Sequence, residues 1–177
     1  ISMHSAKRPG GRQVLLFTPE MDADARGLFS AWASSAVYEA IASGRGLTMF
    51  YQPVRDLGVE CIRYYESLVR IVSGDDILPP SEIFPLVEAR RLESELDRAI
   101  LGRILADLGS GKPPSKTGIS INISGLTIVL PEICDWLQPF RDYMQDYYFV
   151  VEITETALIT QLGAAQHNLS NLQQMGF

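Results

Sequence analysis

Apolar and polar positions along this chain change period part-way through it. Over residues 22–43 the apolar set Leu28, Phe29, Trp32, Ala36, Val37 and Ala40 recurs at helical spacing and fits one helix face. Gly44-Arg45-Gly46 follows, and glycine just past the last periodic residue is a helix stop. Before this helix, a short apolar strand is predicted at 14–17, after the turn-rich Pro9-Gly10-Gly11. After Gly46 the pattern becomes strands alternating with helices. Strands are predicted at 47–54 and 62–72, then a short helix opened by Pro79-Pro80 with Ser81 placed to cap it. A longer helix covers 93–108, where Leu92, Leu96, Ile100, Ile104 and Leu108 form a stripe at every fourth residue. A turn-rich loop at 109–116 leads to a third strand at 118–124. A helix falls between 130 and 143, and a fourth strand at 148–154. Leu162, Ala165, Leu169 and Leu172 mark a last helix, closed by Gly176. Alternation of this kind implies an α/β fold with a parallel sheet, wound open or closed as a barrel.

Composition narrows the class. The chain has 177 residues, 46% of them hydrophobic, which is enough apolar material for a real core. A net charge of -6 argues against a protein that grips a nucleic-acid polymer or an anionic membrane through a basic surface. A small anionic ligand held by metals stays compatible with it. Cys61 and Cys134 stand far apart with no C-x-x-C pairing, the usage of a reduced, cytoplasmic protein. No apolar run is long enough to span a bilayer, and no signal-peptide pattern occurs. The chain begins at Ile1 and ends at Phe177 as a new apolar segment starts, so it reads as a portion of a longer protein.

The chemistry lies in polar residues that interrupt apolar strands. Side chains alternate between the two faces of a strand. Glu66, Leu68 and Arg70 therefore share a face: an acid, an apolar contact and a cation. Ser120, Asn122 and Ser124 oppose the isoleucines of the third strand, and Val150, Glu152 and Thr154 share a face of the fourth. A covered parallel sheet is normally apolar on both sides, so a polar face needs a purpose. Three successive strands thus carry Glu66, Asn122 and Glu152, an all-oxygen set suited to a hard cation. Asn122 and Glu152 lie toward the C-terminal parts of their strands, where barrel enzymes gather their functional groups.

Each residue also has a plainer reading. Glu66 could be an edge residue and Arg70 half of a surface ion pair. Asn122 could be a turn former, and Glu152 and Glu155 acids at a helix N-terminus. His4 and His167 are isolated and offer no metal or triad spacing. The tyrosines read as core or interface residues, and no Gly-rich nucleotide motif is present.

Taken together, the motifs resemble the EAL domain of cyclic di-GMP signalling. Tyr51-Gln52-Pro53 is similar to its Y-Q-P, and Glu66-Ser67-Leu68-Val69-Arg70 to its E-A-L-x-R, with Ser67 for the usual alanine. Phe84-Pro85-Leu86-Val87-Glu88 resembles its F-I-P-x-A-E segment, Asn122-Ile123-Ser124 its N-L-S, and Glu152-Ile153-Thr154-Glu155 its E-L-T-E. The first residues resemble the last helix and strand of a GGDEF domain. The implied organisation is a GGDEF-like tail over 1–21, a linker helix over 22–45 and the N-terminal half of an EAL domain over 46–177.

The resemblance implies a TIM-like (β/α)8 barrel whose first strand is antiparallel, with about the first half in this chain. It implies hydrolysis of cyclic di-GMP to linear pGpG with two Mg²⁺ or Mn²⁺ ions. It assigns Glu66, Asn122 and Glu152 to the metals, Gln52, Leu68 and Arg70 to the substrate, and Glu155 to anchoring a loop near the metals. The general base is expected beyond Phe177, together with the family's D-D-F-G motif. The alternative is an inactive EAL receptor that binds cyclic di-GMP and signals by contacts. Expected partners are cyclic di-GMP and an upstream GGDEF domain. A homodimer paired through the linker helix is a third reading, which exposed Phe29 and Trp32 would favour.

Overall fold

The structure, a computed structural model, describes residues 19–153 and 161–177. The strand predicted at 14–17, most of the GGDEF-like tail, Thr154 and Glu155 lie outside the described residues, as do the side chains of Leu28 and Phe29.

Helix α1 (Pro19–Ser43) leads into β1 (Leu47–Arg55) and β2 (Ile62–Ser73). A short β3 (Asp76–Leu78), α2 (Pro80–Glu88) and α3 (Glu93–Gly109) follow. Next come β4 (Thr117–Ile123), α4 (Gly125–Ile128), α5 (Ile133–Leu137), a 3-10 turn (Gln138–Tyr143), β5 (Tyr147–Ile153) and α6 (Leu162–Met175). The sheet runs β1-β2-β4-β5, with β3 folded back on β2. β1 is antiparallel to β2, whereas β2, β4 and β5 are mutually parallel.

One face of the sheet is buried. Leu47, Met49, Val69, Ile71, Ile119, Ile121, Ile123 and Phe149 join the core there with Ile83, Leu96, Ile100, Ile104 and Leu137 from the helices. Phe149 meets Phe140 edge-on at 5.2 Å and Phe177 at 5.9 Å, which ties the end of α6 to the sheet. On α1, Ala33, Ala36, Val37 and Ala40 are buried, and the helix packs on α2, α3 and β2. Trp32 is half-buried against the same core. The side of α1 that was expected to mediate pairing is thus spent, from residue 32 onward, on its own domain.

Details depart from the sequence reading. α2 opens at Pro79, which makes no side-chain cap, rather than at Ser81. Pro80 at the first helical position already has the φ a helix requires, so a capping hydroxyl is dispensable. β4 ends at Ile123, and Ser124 accepts the Thr127 N–H as the N-cap of α4 instead of extending the strand. β3 has three residues, too few for any period to register.

Candidate functional site

The other face of the sheet carries the candidate metal and substrate residues that lie within the described strands. Alternation puts Gln52, Glu66, Leu68, Arg70, Asn122 and Glu152 on this face, opposite the buried residues of the same strands. Register then brings them together. Gln52 stands across from Glu66, Glu66 across from Ser120, and Asn122 across from Glu152. Asn122 Nδ2 donates to Glu66 Oε1 over a long 3.4 Å. Glu66, Asn122 and Glu152 are each half-buried, and Gln52 is exposed.

Arg70 sits further along β2. Its Nη1 donates to the Val69 carbonyl at 2.7 Å, and its guanidinium lies 5.2 Å from the Phe50 ring centroid. Both contacts orient the fork while using only part of its donor capacity. Leu68 stands across from Phe50 on the same face. At the opposite end of the strands Tyr148 lies over Gly118 and donates its hydroxyl to the Arg63 carbonyl. A Cβ at Gly118 would overlap the Tyr148 ring, so glycine is required for this tyrosine to reach across β4 to β2.

Glu66 and Glu152 with the Asn122 amide between them form an oxygen-rich set. Among the described residues, no three of His, Cys, Asp and Glu gather around one point, so the amide is an integral member. These donors fit a hard divalent cation by type and supply about half of the six oxygens such an ion takes. Turning the Asn122 amide over would present its oxygen instead of the nitrogen now facing Glu66.

Two buried acids support this face from behind. Asp97 on α3 accepts the Ser124 N–H at 2.9 Å and the Thr127 hydroxyl at 2.6 Å. That clamps the chain two residues beyond Asn122. Burial pushes the Asp97 carboxyl up from its ordinary value, and the hydrogen bonds from Thr127 and Ser124 only partly offset this. A carboxyl raised on folding holds its proton more tightly in the native state. Its contribution to stability is therefore greatest at low pH and falls as pH rises from about 4 through the raised native value. Asp97→Asn keeps an oxygen acceptor without the charge, so it should remove that decline; Tm measured from about pH 4 to neutrality against the parent protein checks this. A decline left intact in the variant would assign the pH dependence to another group.

Asp107 plays a matching part on β1. Tyr51 donates to Asp107 Oδ2 at 3.0 Å, and Arg103 Nη2 meets Oδ1 at 2.5 Å. Burial, then the Asp107 charge, raise the Tyr51 hydroxyl far above its usual value, so it remains a proton donor at all working pH. Tyr51 thus anchors β1 to α3 from the buried face and leaves Gln52 on the open one. Sequence reasoning took α3 as a purely apolar stripe and passed over both acids. The signal was present: Asp97 shares a helix face with Leu101, Ile104 and Leu108, an acid set within apolar neighbours.

Comparison with known proteins decides the family. The EAL domain model matches residues 34–177. The chain belongs to the EAL domain family. The match begins within α1. Among curated proteins the chain is 25% identical over 182 residues to the uncharacterized protein y4lL of Sinorhizobium fredii, covering 99% of this chain and 21% of that protein. Among solved structures it resembles the Xanthomonas citri FimX EAL domain in complex with cyclic di-GMP, with a TM-score of 0.68 and 21% identity over 86% of this chain and 60% of that one. It also resembles the PaMucR phosphodiesterase in its cyclic di-GMP complex, with a TM-score of 0.63 and 19% identity over 82% of this chain and 60% of that one. The chain therefore spans about three-fifths of these EAL structures and about a fifth of y4lL. Its sheet, with an antiparallel first strand followed by parallel ones, is the first part of the EAL-type TIM-like barrel.

Proposed function

We propose that this EAL chain forms part of a phosphodiesterase that hydrolyses cyclic di-GMP to linear pGpG with Mg²⁺ or Mn²⁺. The observation that carries this reading is the convergence of Glu66, Asn122 and Glu152 on one open face, with Glu66 and Asn122 already in contact at 3.4 Å. A hard divalent cation held by these three would neutralise the phosphodiester and lower the pKa of a water. The chain's own residues do the rest of the positioning. Arg70, oriented by the Val69 carbonyl and the Phe50 ring, offers a planar fork to a phosphate. Leu68 supplies apolar contact to the ligand, and exposed Gln52 offers an amide across from Glu66. Glu155, outside the described residues, would anchor the loop after β5. The general base and the remaining acidic ligands would come from the second half of the barrel, beyond Phe177.

Among the described residues no helix is long and apolar enough to cross a membrane, and both cysteines are free. An upstream GGDEF domain rests on the first residues of the sequence alone.

Arg70→Ala in the full-length gene product should weaken cyclic di-GMP binding roughly tenfold or more, the usual loss for a hydrogen bond to a charged group. Calorimetric titration in the presence of a chelator reads this without turnover. An unchanged Kd would remove Arg70 from the phosphate site.

A further inference from the structure

Ser120 is fully buried, and its hydroxyl has no hydrogen-bond partner. Buried polar groups are almost always paired, so one left over next to a site calls for a reason. Two other buried donors among the described residues share this state, Thr117 Oγ1 and Arg103 Nε. Neither is on the open face: Thr117 shares the face of the buried isoleucines of β4, and Arg103 lies on α3. Ser120 alone is on the same side as Asn122 and in register with Glu66 on the adjacent parallel strand.

Its backbone is held in that place. Ser67, which stands where the family usually has alanine, is buried and donates to the Ser120 carbonyl at 2.7 Å. The ladder between β2 and β4 ends where Glu66 pairs with Ser120. Ser67 thus pins β4 at the residue facing Glu66. The Glu66 carboxylate, meanwhile, accepts from Asn122 only across 3.4 Å, near the limit of a hydrogen bond. Carboxylates that ligate metals are themselves normally hydrogen-bonded from behind, and losing such a partner typically weakens the metal 10- to 100-fold, in round numbers.

We propose that Ser120 is a positioning residue: its free hydroxyl donates to the Glu66 carboxylate when Glu66 turns to a divalent cation. This rests on the phosphodiesterase reading above. In the unloaded state the hydroxyl is an unpaired group, and it becomes paired on loading. Ser120 therefore contributes to cation affinity and nothing to the stability of the unloaded fold. Ser67 does the reverse, since its bond to the Ser120 carbonyl exists already.

The test is Mn²⁺ titration of the full-length gene product, followed by loss of the free-ion electron paramagnetic resonance signal, alongside thermal unfolding in chelator. Parent protein, Ser120→Ala, Ser120→Cys and Ser67→Ala are compared. Ser120→Ala should bind Mn²⁺ about tenfold more weakly while its Tm in chelator equals or exceeds that of the parent. Ser120→Cys, of similar shape but a weak donor, should behave the same way. Ser67→Ala should lower Tm in chelator. Parent-like Mn²⁺ affinity in Ser120→Ala overturns the inference and leaves the phosphodiesterase reading standing. Weakened Mn²⁺ binding with a lowered Tm in both Ser120 variants makes the residue structural and also overturns it. Failure of the parent protein to bind Mn²⁺ overturns both.

Discussion

Exchanging Glu66 for glutamine should lower Mg²⁺-dependent turnover of cyclic di-GMP by the full-length gene product on the order of a hundredfold to a thousandfold, with the fold unchanged. The two halves of that expectation have separate causes. Turnover falls because one of two carboxylates on the open face loses its charge, and an amide oxygen offsets none of the cation's charge even where it can still ligate. The fold survives because Glu66 contributes little to it. The residue is half-buried, and the one hydrogen bond of its side chain among the described residues is the 3.4 Å contact to Asn122. Its neighbours in sequence, Ser67 and Val69, make the buried contacts of β2 and are untouched. A variant with parent-like turnover and an unchanged Tm would sink the assignment of Glu66 to the metal.

Gly46→Ala should have the opposite signature, a loss of stability of about 3 kcal/mol from backbone strain and overpacking together. Gly46 adopts φ +76°, a conformation that side-chain-bearing residues disfavour. A Cβ built there would also overlap the Val72 carbonyl oxygen, which is backbone and cannot swing aside. The Gly46 carbonyl accepts the Val72 N–H at 2.9 Å, so this close approach starts the β1–β2 ladder. That ladder sets Gln52 opposite Glu66. For a domain of this size the loss corresponds to a drop in Tm of roughly 6–12 °C by thermal unfolding. A drop below about 2 °C would show that the turn relaxes without strain.

Much of this was legible because alternation in a strand is a rigid rule. Ile119, Ile121 and Ile123 had to share a face, which forced Asn122 onto the other, and the same rule placed Glu66 and Glu152. Strand order and register then brought the three together. What escaped was chemistry at element ends and inside helices. Ser124 continued the alternation in sequence but caps α4 in space, because a serine at a strand-to-helix junction satisfies an orphan N–H better than it extends a ladder. Nothing in the sequence around Asn168 marks it, yet its amide is buried and donates to the Ile128 and Leu130 carbonyls at 2.8 and 2.9 Å. Its partners lie about forty residues away in sequence, beyond the reach of any local pattern. The unpaired state of Ser120 was likewise invisible, since it depends on what the neighbouring strand leaves free.

The most direct test is turnover of cyclic di-GMP by the full-length gene product with Mg²⁺, with the product resolved by chromatography. The account predicts linear pGpG, abolished by chelation and restored by adding Mg²⁺ or Mn²⁺ back. Cyclic di-GMP that binds yet is recovered intact at saturating Mg²⁺ would contradict it and make this EAL chain part of a receptor.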